Sequence, residues 1–153
     1  MVHFITLRES TEQFIDSDGT AHIEISQTIT GGLKGDHEKR VIDGKTYPRD
    51  THMLGTFHER CRWINLEDVE EPWLTEGWVY TSDELGSGGP GPNGEMHIEV
   101  RATNSKGEFN TVAIWGFTEI DGARYHCRRG ICRRGAEVAK CIGIFRYCGE
   151  RRK

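Results

Sequence analysis

The chain has 153 residues, 35% of them hydrophobic, a formal net charge of −4 and no composition break before residue 82. These values suit one domain over 1–153 with a sizeable core, and argue against two independent domains. No apolar run reaches the length of a membrane helix, and Met1-Val2-His3-Phe4-Ile5-Thr6 lacks the basic flank and long apolar stretch of a secretion signal, so a cytoplasmic protein with no membrane partner is expected.

The charge is unevenly spread. Residues 122–153 carry +8 and residues 1–121 carry −12. Such a basic segment can attract phosphates, yet two oppositely charged stretches of one domain can also neutralise each other, and that plainer reading is preferred. The five cysteines, Cys61, Cys127, Cys132, Cys141 and Cys148, are an odd number in a chain read as cytoplasmic. Reduced thiols, mostly buried as small hydrophobes, are expected.

In chain order, helical periodicity is confined to Leu7 to Phe14 and the acidic stretch Leu66 to Trp73. His22 to Thr30 alternates Ile23, Ile25 and Ile29 with polar residues and ends at Gly31-Gly32, which reads as a strand. Asp43-Gly44 is a hairpin dipeptide, predicting short strands at Lys39 to Ile42 and Lys45 to Tyr47, closed by Pro48. Thr56 to Leu66 and Gly77 to Ser82 are aromatic-rich and β-prone. Ser82 to Gly94 is rich in Gly and Pro and reads as a mobile loop, a spacer or a lid. Met96 to Ala102 alternates again, and Asn104 to Gly107 turns the chain back; a four-residue loop there places His97 opposite Ile114 and Glu99 opposite Val112. Asp121-Gly122 closes a hairpin in which Ile120 meets Ala123, Glu119 meets Arg124, and so on to Trp115 opposite Arg128. One face of that hairpin is then Trp115, Phe117, His126 and Arg128, the other Ile114, Gly116, Tyr125 and Cys127.

At least seven period-two strands joined by short turns predict an all-β fold. The expected form is a closed or nearly closed antiparallel β-barrel of seven or eight strands with a central ligand cavity and one or two short helices. Two stretches add a resemblance. Thr28-Ile29-Thr30-Gly31-Gly32-Leu33-Lys34-Gly35-Asp36 is similar to an early strand-turn-strand of the allene oxide cyclase-like and dirigent-like barrels, and Gly143-Ile144-Phe145-Arg146-Tyr147-Cys148-Gly149 resembles their late Gly-x-Phe-x-x-x-Gly stretch. Together they cover about a tenth of the chain, and Ala136 to Cys141 lacks the extra glycines of those barrels. The resemblance implies a pocket in the barrel mouth that holds an apolar substrate while it cyclises or isomerises. It carries over no catalytic residue.

The residues themselves nominate His97, Glu99 and Arg101 as catalytic, because a strand places them on one face at steps of roughly 7 Å, where they can protonate, deprotonate and orient a carbonyl. Their plainer reading is a solvent face. Glu59, on the same parity as Cys61 and Trp63, is a second-rank general acid whose alternative is an ion pair with a nearby arginine. Trp63, Trp78, Tyr80, Trp115, Tyr125, His126 and Arg128 are nominated to bind substrate, against the alternative that the tryptophans fill the core.

The spacing Cys127-x4-Cys132-x8-Cys141-x6-Cys148 lacks the close pairs of a zinc site, and no His-x-His or His-Glu-x-x-His motif brings His97, Glu99 and one of His52, His58 or His126 together as ligands, so no metal is expected. No Gly-x-Gly-x-x-Gly, P-loop or Gly-x-Ser-x-Gly appears, and no other cofactor is expected.

The leading expectation is a cofactor-independent cyclase or isomerase, alternatively a lyase, acting on an apolar natural-product intermediate, polyketide- or terpenoid-like. A calycin-type carrier using the same cavity is the alternative, and a homodimer is compatible with either. A nucleic-acid or phosphate binder using Arg124, Arg128, Arg129, Arg133, Arg134, Arg146, Arg151 and Arg152 is disfavoured, because Arg128 and Arg129 point to opposite faces of one strand.

Overall fold

The computed structural model describes residues 6–51 and 54–150. His52, Arg151 and Arg152, weighed above, lie outside the described residues. The chain divides into two compact units, Met1–Asp43 with Gly149–Lys153, and Gly44–Cys148. Among the described residues it is mostly β, with nine strands, one 3-10 turn and two short helices.

The first unit carries three antiparallel strands, β1 (Leu7–Ile15), β2 (Ala21–Ile29) and β3 (Leu33–Ile42), in spatial order β1-β2-β3. Leu7 to Phe14, expected as a helix, is β1. The reason lies in the turn that follows: Asp16 Oδ1 accepts from the backbone of Asp18 and Thr20, both at 2.9 Å, and Oδ2 meets His22 Nε2 at 2.7 Å. That turn folds β1 back onto β2, where Phe14 lies opposite His22 and stacks on it at 4.9 Å.

The second unit holds β4 (Thr46–Thr51), β5 (Gly55–Ile64), β6 (His97–Asn104), β7 (Phe109–Ile120), β8 (Ala123–Arg134) and β9 (Glu137–Phe145), each antiparallel to the next. Among the described residues of this unit β4 pairs only with β5 and β9 only with β8. The sheet of this unit is therefore open at β4 and β9, so of the closed or nearly closed barrel expected the fully closed form is not found. Asp43-Gly44 is not the tip of a hairpin into β4: the partner of β4 is β5, and Gly44 N–H donates to Cys61 at 2.9 Å. Pro48 sits inside β4 rather than ending it, as an edge strand permits.

The β7–β8 hairpin has the expected register, from Ile120 opposite Ala123 to Trp115 opposite Arg128 and on to Phe109 opposite Arg134. Asp121 (φ 51°) and Gly122 (φ 78°) supply the two left-handed residues of a tight turn whose twist matches the strands. In the β6–β7 hairpin Glu99 faces Ile114 rather than Val112, a shift of two residues from the expectation. Because the side-chain period is two, the shift leaves each residue on its expected face.

Gly77 to Ser82, expected as a strand, is not one. The segment runs from a 3-10 turn (Leu66–Asp68) through α1 (Pro72–Thr75) to Tyr80, and Val79 N–H donates to Phe117 at 2.9 Å, where β7 extends past its pairing with β6. Its apolar residues Leu66, Val69, Trp73, Leu74 and Trp78 cover a core of Ile64, Val112, Ile114 and Ile131. The expected loop at 82–94 begins with a helix, α2 (Ser82–Ser87). Thr81 and Glu84 form a capping box at its start and Gly88 (φ 83°) ends it in the left-handed conformation.

Ile114 is fully buried at the centre of this core. Ile114→Ala is expected to cost about 2–5 kcal/mol, read as a lowered urea midpoint with an unchanged m-value.

Candidate functional site

The sheet of the second unit has two chemically different faces, and the nominated residues divide between them. On one lie Arg60, Arg62 and Ile64 of β5, His97, Glu99 and Arg101 of β6, Val112, Ile114 and Gly116 of β7, and Tyr125, Cys127 and Arg129 of β8. On the other lie Glu59, Cys61 and Trp63, then Ile98 and Val100, then Trp115 and Phe117, then His126 and Arg128, and on β9 Gly143 and Phe145.

On the first face His97 and Glu99 are both buried, which the solvent-face reading did not anticipate. The His97 ring is closed in by Trp78 and Tyr80, with centroids at 4.9 and 5.5 Å. Its Nδ1 lies 3.2 Å from the Trp115 carbonyl and its Nε2 2.7 Å from the Tyr80 hydroxyl. These partners assign the tautomer: Nδ1–H donates to Trp115 and Nε2 accepts from Tyr80. Burial pushes the His97 pKa below its ordinary value, against a smaller opposing pull from the Trp115 carbonyl and Glu84, so the imidazole is held neutral. Burial, with the Glu84 charge, also raises the Tyr80 pKa. Gly116 makes this fit: a Cβ there would stand 2.7 Å from His97 Nδ1 and 2.9 Å from Trp78 Cε3.

Glu99 Oε1 receives three guanidiniums, Arg62 Nε at 2.8 Å, Arg101 Nε at 3.0 Å and Arg60 Nη2 at 3.5 Å. Burial pushes the Glu99 carboxyl up, but hydrogen bonds from Arg62 and Arg101 and their charges outweigh it and hold the pKa below the ordinary 4.5. Arg60 and Arg62 were not nominated from sequence; their shared parity on β5 was visible, but their place opposite Glu99 and Arg101 comes from the β5–β6 pairing.

The second face carries the aromatic site. Arg128 lies between two rings, its guanidinium carbon 4.1 Å from the centroid of Trp115 and 4.4 Å from that of Phe145. Arg128 Nε donates to His126 Nε2 at 3.1 Å, and the other imidazole nitrogen, Nδ1, donates to the Gly116 carbonyl at 3.0 Å. The same imidazole is ringed by Trp115, Phe117 and Phe145 at 5.7–5.9 Å. Trp63, Ile98, Trp115, Arg128 and Gly143 form one straight row across five strands. Gly143 leaves room for this closure: a Cβ there would meet Phe145 Cε2 at 3.1 Å. The cluster thus combines apolar rings, a fixed cation and an oriented imidazole, the mixture a small-molecule site needs. Phe145 was missed as a site residue; its signal was its period-two position after Gly143.

Glu59 shares this face and is paired with Arg49 Nη2 at 2.8 Å, the ion pair named as its alternative. Trp78, Tyr80 and Tyr125 lie on the opposite face from Trp115 and Arg128, so the nominated substrate-binding residues do not form one group. Arginines of the basic segment are taken up by acids: Arg124 by Glu84 at 2.7 Å, Arg129 by Glu76 at 3.7 Å, Arg133 by Glu71 and Arg134 by Glu137 at 2.8 Å. Arg124 turns to Glu84 and stacks on Phe117 at 3.9 Å, where Glu119 had been the expected partner. Cys61 and Cys127 are buried, whereas Cys132 is half-buried and Cys141 and Cys148 are exposed, so fewer thiols serve as core than expected. Burial raises the Cys127 pKa. Among the described residues no cluster of His, Cys, Asp and Glu is placed to hold a metal, and no helix is long and apolar enough to cross a membrane.

Ionised Glu99 contributes stability above pH 4.5, and that contribution is lost as pH falls through its depressed folded pKa. Glu99→Gln is expected to destabilise the protein at pH 7 by about 2–3 kcal/mol, the low side for a buried pair because its guanidiniums reach water. The difference in melting temperature between wild type and variant should shrink as pH is lowered below 4.5, as followed by circular dichroism.

No family model matches the chain, and no solved structure matches it at a significant level. Two curated proteins do. The chain is 30% identical over 122 residues to the pericyclase pydY of an Acremonium species, covering 78% of this chain and 60% of that protein. It is 27% identical over 133 residues to the probable pericyclase scpY of Mollisia scopiformis, covering 86% and 64% respectively. The chain therefore spans less than two thirds of the curated relatives it matches, and is similar in sequence to proteins described as pericyclases.

Proposed function

We propose that this chain accelerates a pericyclic cyclisation of an apolar natural-product intermediate, on the sheet face that carries Trp63, Trp115, His126, Arg128 and Phe145. The observation that carries the proposal is the Arg128 guanidinium held between Trp115 and Phe145 and hydrogen-bonded to His126. The similarity to pydY and scpY supports the reaction class, and the resemblance of residues 28–36 and 143–149 to the allene oxide cyclase-like barrels supports the same kind of chemistry.

A pericyclic step moves its electrons around one cyclic transition state and transfers no proton to the catalyst. The protein is then asked for two things. One is to fold a flexible chain into its reactive conformer, converting an improbable arrangement into a bound one. Aromatic walls suit this, since planar π-surfaces stack on Trp115, Phe145 and Trp63 with little conformational entropy to lose. The other is to draw electron density out of the reacting π-system as the transition state forms. A guanidinium donating to a conjugated carbonyl does so, and its planar fork of donors suits a carbonyl oxygen. His126 acts as a positioning residue, fixing the guanidinium plane through Nε.

In this reading His97 and Glu99 are framework: His97 locks segment 77–80 onto the sheet, and Glu99 orders three arginines. Arg101 and Glu59 are engaged in ion pairs rather than assigned to acid–base steps. The carrier reading uses the same cage, and turnover separates the two.

The test is incubation with a linear polyene bearing an α,β-unsaturated carbonyl, a substrate able to cyclise slowly and unselectively on its own. The expected outcome is faster conversion to predominantly one stereoisomer. Arg128→Met should lower kcat by roughly 10²-fold, the usual loss for one transition-state donor, while Trp115→Leu should mainly erode the isomer ratio. A product mixture identical with and without protein across a panel of such polyenes, with the compound recovered bound and unchanged, would establish the carrier instead.

A further inference from the structure

The three arginines around Glu99 differ from the four arginines of β8 that pair with acids. Arg124, Arg129, Arg133 and Arg134 each meet a different acid. Arg60, Arg62 and Arg101 share one carboxylate, and converge on a single oxygen of it. The cluster is therefore formally +2. Among the described residues no other acid lies within ion-pair distance of any of the three, and their neighbours on the same face are Thr46 opposite Arg60, Val112 opposite Arg101, and Ile114 opposite Glu99.

Their placement works against stability. Arg60 and Arg101 are direct cross-strand partners, an arrangement in which side chains stand about 4.5–5.5 Å apart at Cβ and like charges repel. One buried carboxylate, 2% exposed, holds them there, while the side chains of Arg60, Arg62 and Arg101 are 37%, 40% and 53% exposed. Each has five N–H donors, and none makes another hydrogen bond among the described residues. A buried anchor ringed by partly exposed arginines with unused donors, carrying two uncompensated charges, is the arrangement that charge-assisted binding of a tetrahedral oxyanion uses.

We propose that Arg60, Arg62 and Arg101 form a binding site for a phosphate dianion, free or as a monoester, with Glu99 as the group that orients them. Two excess positive charges match the charge of close to −2 on a phosphate monoester at neutral pH, and its three terminal oxygens offer one acceptor to each guanidinium. The site lies on the opposite face of the sheet from Arg128 and Trp115, so its occupant does not touch the proposed reaction site.

Calorimetric titration of the full chain with inorganic phosphate, and separately with glycerol 3-phosphate, tests this against chloride at equal ionic strength. Saturable binding of one anion per chain is expected, weakened at least about tenfold in Arg60→Gln/Arg101→Gln through lost charge-assisted hydrogen bonds, and unchanged in Arg134→Gln. The double variant keeps the 2.8 Å contact of Arg62 with Glu99. Should it fail to fold, the arginine Nε–H resonances of the wild type give the answer, with phosphate-dependent shifts confined to positions 60, 62 and 101 expected. Tighter binding of the monoester points to an organic phosphate, and tighter binding of inorganic phosphate to the free ion. Heat that never saturates, equal affinity in the double variant, or shifts spread evenly over all arginines would overturn the site.

Discussion

The register of the β7–β8 hairpin is the constraint on which the rest of this unit depends. Two left-handed residues, Asp121 and Gly122, fix it at the turn, and twelve residue pairs transmit it along both strands. With a side-chain period of two, this one choice sends Trp115, Phe117, His126 and Arg128 to one side and Ile114, Gly116, Cys127 and Arg129 to the other. β6 and β9 then inherit their faces by pairing against strands whose orientation is already decided.

The two faces solve different problems. The one bearing Ile114 is covered by segment 66–80, and most polar groups beneath that cover are matched with partners: Trp78 Nε1 donates to the Leu74 carbonyl at 2.9 Å, Arg129 Nε to the Trp73 carbonyl at 2.8 Å, and His97 takes both Tyr80 and Trp115, while Trp73 Nε1 is buried without one among the described residues. Burial there is stabilising because few hydrogen-bonding groups are stranded. The face bearing Arg128 instead sets a cation among ring faces, where the ring quadrupoles and the hydrogen bond to His126 Nε2 help offset its desolvation.

Legibility in the sequence followed the range of the forces involved. The Asp121-Gly122 hairpin was readable to the residue because turn chemistry and alternation are local, and the same locality gave β2 and β6 within a residue of their observed starts. Leu7 to Phe14 misled because its apolar spacing fits a helix, while the Asp16 turn that decides it lies just beyond. The capping box at Thr81 and Glu84 was visible as Thr-x-x-Glu, but the glycines after it dominated the reading. Of the candidate site, parity gave the company of Trp115, His126 and Arg128. It could not say that Tyr80 would cross to seal His97, or that Arg60 and Arg62 would gather on Glu99, because those contacts join residues 17 to 39 positions apart.

Gly143 carries a consequence for how the Arg128 site is shaped. Lacking a side chain, it lets the Phe145 ring lie over the guanidinium, and a Cβ there would press on that ring at 3.1 Å. The height of the aromatic wall is thus set by an atom that is missing, at a position opposite the arginine. Selectivity for the size of an occupant would then vary through substitutions that a map of direct contacts does not contain, and a search for specificity determinants would need to include the small residues of β9 beside the site.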